Sequence, residues 1–181
     1  MNESIDSIFN QTFNPKKIQI ILVNDGSTDK TEQICLLYKS KYPKNIVYIK
    51  QEHFGVSRAR NSGIKIAKGK YINFLDADDK WDYRALQYVF LFFKFYRNIN
   101  IISCRIILFE GIEGYHPLDY KFYKTRIVNL NEEYNSIQLS SSSSFFRYSF
   151  IKDKTFKEGV FNGEDTRFIN IWYFKRSNIL L

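Results

Sequence analysis

Ile5, Ile8 and Phe9 recur at helical spacing in residues 2–13, NESIDSIFNQTF, beside polar residues able to cap the first turn, so the chain opens on a predicted helix. An apolar, β-branched run follows at 18–23, IQIILV, and stops at NDGSTD. That is the pattern of a strand covered on both faces that leads into a turn. The next helix is predicted at once, with Asp29 and Glu32 as a cap pair and Ile34, Leu36, Leu37 and Tyr38 as its buried face before Pro43. IVYI at 46–49 reads as a second strand, residues 56–68 as a helix with Gly69 just past its end, and YINFL at 71–75 as a third strand. The spacing of Leu86, Val89, Phe90 and Phe93 predicts a helix over residues 81–97, and IISCRIILF at 101–109 a fourth strand. Beyond Gly111 the pattern weakens, and SSSSSFF at 140–146 suits a serine-rich loop and a strand end equally.

Strands alternating with helices predict an α/β fold with a mostly parallel sheet covered by helices on both faces. A chain of 181 residues holds one domain with a sizeable core, so residues 1–181 are read as a single domain. At 44% apolar and 25% charged residues, the composition excludes a disordered or low-complexity protein. With 17 Phe and 13 Tyr, the core must be built from large side chains, and some rings are left over to face a partner or a membrane surface.

A formal charge of +8 attracts polyanions, which brings nucleic acid, anionic lipid and phosphorylated small molecules into view together. The basic residues are scattered and no nucleic-acid motif occurs, so no nucleic-acid partner is expected. Cys35 and Cys104 lack metal-ligand spacing and read as reduced thiols of a reducing compartment. No segment reads as a signal peptide, and Lys94 and Arg97 interrupt the most apolar stretch before it reaches a membrane-spanning length. The expected location is therefore cytoplasmic, soluble or peripheral at the inner face of the membrane.

In open parallel sheets ligands bind outside the carboxyl ends of strands, where two acid-rich segments fall. In LDADD, Asp76 and Asp78 are two apart, so on an extended chain both carboxylates project to one side and Asp79 to the other. Two hard oxygen ligands suit a divalent cation completed by water and phosphate oxygens. The structural alternative is that Asp79 caps the following helix and the other two are solvated turn residues. In VNDGSTD only Asp25 stands directly at a strand end, the rest being ordinary turn formers. GVSRARN gathers Arg58, Arg60 and Asn61 near a helix start, where guanidinium forks can meet a diphosphate or a base edge, or simply form a basic face. No glycine-rich phosphate loop of either common type occurs. FNGEDTRF at 161–168 carries Glu164 and Asp165, surface acids or a general base if the fold returns them to the acid cluster. His53 and His116 are isolated and receive no role.

Taken in order, IILVNDGSTDKT, GVSRARNSGIKIAKGKYINFLDADDKW and FNGEDTRFI resemble the family 2 glycosyltransferases, nucleotide-sugar enzymes of the GT-A fold, over residues 3–175. Within the family, the likeness is to bacterial enzymes of capsule and wall polymers. The resemblance implies a Rossmann-like sheet and an inverting transfer from a nucleotide-diphosphate sugar donor to a hydroxyl of a polysaccharide or glycan acceptor, assisted by Mg²⁺ or Mn²⁺. It implies that Asp25 recognises the base and that Arg60, with Arg58, lies beside the nucleotide. Asp76 is then the first acid of the D-x-D motif, near the ribose, and Asp78 the second, holding the metal. Asp165 is the base that deprotonates the acceptor.

The sequence departs from the family pattern at its start, where an apolar strand ahead of the first helix is absent. An incomplete, truncated GT-A domain is therefore expected, either active or an inactive remnant that keeps part of the nucleotide site. A strand evolved to be interior would expose unpaired backbone groups and invite self-association through that sheet edge.

Overall fold

The structure, a computed structural model, describes residues 1–108, 114–115, 117, 122, 124–129, 132–133, 140–160, 168 and 178–180. Helix α1 (Asn2–Phe9) buries Ile5 and Ile8. It stops short of the predicted residue 13 because the buried Gln11 turns its amide on Ser7 O at 3.0 Å and Asp82 O at 2.7 Å. Strands β1 (Ile20–Asp25) and β2 (Ile46–Gln51) pair in parallel, Ile20 opposite Ile46 and Asp25 opposite Gln51.

The helix between them, α2 (Thr31–Lys41), departs from expectation at both its cap and its face. Asp29 accepts from Thr31 N at 2.9 Å, but Glu32 reaches Lys50 Nζ on β2 at 2.7 Å instead of turning back on the helix start. Cys35 and Tyr38 are the buried positions, whereas Leu36 and Leu37 are 47% and 67% exposed. With 3.6 residues per turn, a face centred on 35 and 38 turns 36 and 37 away from the sheet.

Helix α3 (Val56–Ile66) ends where Gln19 accepts from Lys68 N at 2.8 Å, and β3 (Tyr71–Asn73) is shorter than the predicted five residues. Asn73 ends it by donating its amide to the carbonyls of Ser142 and Ser144 at 2.8 and 2.9 Å. Helix α4 (Ala85–Phe95) begins four residues later than predicted. Trp81 instead donates its backbone N–H to Ser7 Oγ and packs its ring on Phe145, centroids 5.1 Å apart.

The predicted fourth strand divides into β4 (Ile101–Ser103) and β5 (Ile107–Leu108), the latter in a short antiparallel ladder with β6 (Gly114–Tyr115). Further along come β7 (Ile127–Asn129), β8 (Ser144–Arg147), α5 (Tyr148–Ile151) and β9 (Asn178–Leu180). The serine run thus resolves into a loop that feeds a strand.

Five strands form one sheet in the order β3-β8-β4-β9-β7; β4 is parallel to β9 and, like β3, antiparallel to β8 between them. With the β1–β2 pair, this is a mixed α/β architecture whose parallel pairings, among the described residues, are β1–β2 and β4–β9. Among the described residues, β1 has β2 as its single ladder partner and β3 has β8. One core cluster joins α1 to β1 and β2 through Ile5, Ile8, Ile20, Tyr38 and Ile46, with Leu75 and Trp81 against it. A second gathers Ile64, Ile101, Val128, Phe146, Ile151, Phe156 and Phe168. Among the described residues no helix is long and apolar enough to cross a membrane.

Candidate functional site

Parallel pairing of β1 with β2 brings two strand ends side by side, and the first candidate forms there. Asp25 Oδ1 accepts from Gln51 Nε2 at 2.6 Å and from Phe54 N at 3.1 Å, while Oδ2 accepts from Gly55 N at 2.8 Å. His53 Nδ1 lies 3.2 Å from Oδ2 and 3.0 Å from the Asp25 carbonyl. Burial alone would raise the carboxyl's pKa, but the hydrogen bonds from Gln51, Phe54 and Gly55 and the His53 ring outweigh it, and the net shift is downward. Asp25 thus holds the 51–55 loop against the end of β1. Gly26 makes this approach feasible: at φ 77°, any Cβ it carried would stand 2.9 Å from His53 N.

A second cluster joins α3 to the chain after β3. Arg60 Nη2 donates to Asp76 Oδ1 at 3.0 Å, the arginine side chain 9% exposed and the aspartate 44%. Beneath the guanidinium lies the Phe156 ring, its centroid 5.3 Å away. Arg58, two residues nearer the helix start, is exposed; it lies over the Phe54 ring at 3.9 Å and 3.9 Å from Glu158.

Asn61 has a different task from the ligand contact its motif suggested. Its amide donates to Phe156 O at 2.9 Å and accepts from Phe156 N at 2.7 Å, all of it buried. It positions Phe156, which in turn supports Arg60.

The acids after β3 do not lie on an extended strand. Asp79 N donates to Asp76 O at 3.1 Å, closing a turn with Ala77 and Asp78 at its tip, so alternation along a strand does not govern where the carboxylates stand. Asp78 is exposed in that turn. Asp79 does not cap α4, which starts six residues later. It lines a cavity of about 710 Å³ with Trp81, Ser103, Phe145, Arg105 and Lys124.

Among the described residues no group of three or more His, Cys, Asp or Glu converges as a metal cage. The hard oxygens of Asp76 and Asp78, one exposed and one half-exposed, fit a cation that takes few protein ligands and completes its shell from water and phosphate.

Asp165 and Glu164 lie outside the described residues. Phe168, three positions on, is described: it is 2% exposed, stacks on Phe156 at 3.8 Å and meets Phe74 edge-on at 6.2 Å. Sequence reasoning missed Gln51, His53 and Phe156. The first was within reach of pattern alone, because aligning IILVND with IVYIKQ as parallel neighbours sets Gln51 opposite Asp25.

The pattern that defines glycosyl transferase family 2 matches residues 1–153. The chain belongs to that family.

This chain is 43% identical over 172 residues to the minor teichoic acid biosynthesis protein GgaB of Bacillus subtilis, covering 94% of this chain and 19% of GgaB. The chain therefore spans about a fifth of that relative's length. It superposes with a TM-score of 0.82 on S. aureus TarS 1-349 in complex with UDP-GlcNAc, at 24% identity, over 98% of this chain and 51% of TarS 1-349. Mannosyltransferase PcManGT from Pyrobaculum calidifontis, solved with GDP-Man and Mn²⁺, matches with a TM-score of 0.64 at 16% identity, over 91% of this chain and 45% of that one. These similarities show a GT-A-like fold.

Proposed function

We propose that this family 2 chain carries the donor site of an inverting, metal-assisted glycosyl transfer from a nucleotide-diphosphate sugar to a hydroxyl of a wall polymer or glycan. The observation that carries the reading is the Arg60–Asp76 pair beside the Asp78 turn, at the end of β3, within a chain that matches the family pattern. Asp25 serves the nucleotide base by fixing the 51–55 loop, and its remaining lone pair is the natural acceptor for a base N–H. Arg60, with Arg58 nearer the rim, presents positive charge toward the diphosphate, and Asp76 orients Arg60 while standing near the ribose.

Asp78 and Asp76 would hold Mg²⁺ or Mn²⁺. When bound, the cation supplies charge stabilisation to a diphosphate that departs with the bonding electron pair. The acceptor oxygen forms its bond to the anomeric carbon on the face opposite the breaking C–O bond, and its proton passes to the Asp165 carboxylate. The cavity beyond Asp79, with aromatic walls and Arg105 and Lys124 at its border, suits the acceptor. GgaB's name points to a teichoic polymer as that acceptor.

The net charge favours residence at an anionic inner membrane surface. The edge of β1 without a described ladder partner favours addition of a strand from a second chain.

Titration of the chain with UDP and Mn²⁺, followed by UDP-GlcNAc turnover with and without Asp78→Ala, tests the assignment. Metal-dependent binding and turnover that Asp78→Ala removes is the expected result. Turnover untouched by that change rejects it, and binding without turnover selects an inactive domain that keeps the nucleotide site.

A further inference from the structure

Helix α4 is apolar on two sides. Its inner face buries Val89 and Phe93 against β4 and β8, as amphipathic packing requires. Its outer face should then be polar, yet Arg84, Tyr88, Leu91 and Phe95 recur at intervals of four, three and four residues and make one stripe. Phe95 is 74% exposed and Tyr88 48%, with Tyr96 exposed beside them. Fraying does not account for this exposure. Arg147 Nη2 donates to Phe93 O at 2.9 Å and to Tyr96 O at 3.0 Å, tying down the last turn.

Along α4 itself the charges are of one sign, although the exposed Asp82 just ahead of it accepts from Arg84 N at 2.9 Å. No Asp or Glu occurs between Asp82 and Glu110, while Arg84, Lys94 and Arg97 are all exposed in that interval. Arg84 lies over the rings of Tyr83 and Tyr88, 4.8 and 5.9 Å from their centroids, so cation and aromatic form a single surface. We propose that this outer face of α4 is a docking surface for an anionic lipid bilayer: Phe95 and the tyrosines enter the headgroup boundary, and Arg84, Lys94 and Arg97 meet lipid phosphates.

A second copy of the chain fits the face less well. A two-fold contact would set the acid-free cationic stripe against itself. A bilayer of negative lipid matches both its charge and its aromatic content. The proposal rests on the peripheral placement proposed above and names its surface; it does not depend on sugar transfer.

Co-sedimentation of the 181-residue chain with phosphatidylcholine vesicles, with and without phosphatidylglycerol, tests the surface. Binding is expected with phosphatidylglycerol alone and should weaken as salt is raised. Phe95→Ser should reduce the bound fraction about tenfold, and Lys94→Gln with Arg97→Gln should remove the preference for negative lipid. Both variants should keep the circular dichroism spectrum and the vesicle-free UDP-GlcNAc turnover of the parent. The proposal is overturned by absent binding, by equal binding to both vesicle types, or by binding that these variants leave unchanged. It is also overturned by concentration-dependent dimerisation that Phe95→Ser abolishes while vesicle binding stays absent. Loss of turnover with vesicle binding intact would reject the enzymatic assignment and leave the surface standing.

Discussion

Arg60 and Asp76 form an unequal pair: at 3.0 Å, a guanidinium with 9% of its side chain exposed meets a carboxylate that is 44% exposed. The arginine cannot shed its charge on burial, so the aspartate is its electrostatic support as well as a candidate ligand. Removing one partner of a buried pair costs more than forming the pair contributes. Asp76→Ala should lower unfolding free energy by about 2 kcal/mol, less than for a fully buried pair because water reaches the aspartate. Urea denaturation measures it, and UDP affinity should fall in the same variant.

Asp78 should behave in the opposite manner. It is exposed at the tip of a turn, so Asp78→Ala should change stability by no more than about 0.5 kcal/mol. Metal-dependent turnover should nonetheless be lost. Denaturation and turnover measured on one preparation separate the two effects, and a variant as active as the parent would remove Asp78 from the proposed site.

Asn61 makes two buried hydrogen bonds to the Phe156 backbone, so truncation leaves both the N–H and the C=O of Phe156 without that partner. Asn61→Ala is expected to cost about 3 kcal/mol. Nucleotide affinity should also drop, because Phe156 underlies Arg60. Calorimetric melting and UDP titration give the two readouts.

Asp25 carries a pH signature. Its folded-state pKa lies below the usual carboxylate value, so the stabilisation is complete above about pH 4 and is lost as pH falls through the folded-state value. Asp25→Asn puts an amide where N–H donors converge and should cost about 2 kcal/mol at neutral pH. Melting of parent and variant between pH 7 and pH 3 should show the gap closing in the acid range. A gap independent of pH would mean the carboxylate's charge is not what holds the loop.

Gly26 offers a check on the same loop. Gly26→Ala forces a Cβ to within 2.9 Å of the His53 backbone at a φ that L residues rarely adopt, with an expected cost of about 2 kcal/mol. Proteolysis within residues 51–55 should accelerate in that variant.

Local pattern determined much of this protein. Alternating apolar runs set the order of helices and strands through residue 103, and acids directly behind such runs marked Asp25 and Asp76 as strand-end groups. Hydrophobic periodicity acts over a few residues, so it reports which segments form elements and which ends face a ligand. It reads poorly where a strand is covered on both faces. Ser144, Phe145 and Phe146 are all buried, so β8 shows no alternation, and its place between β3 and β4 was not legible.

The tertiary structure decided which chemical groups share a site. Asn61 and Phe156 stand 95 positions apart, and Arg60 finds Asp76 across a helix-to-strand crossover. Such contacts arise from the packing of α3 on the sheet, whose side-chain partners no periodic pattern encodes. Local residue chemistry supplied the charges, and burial and the direction of the chain decided which of them meet.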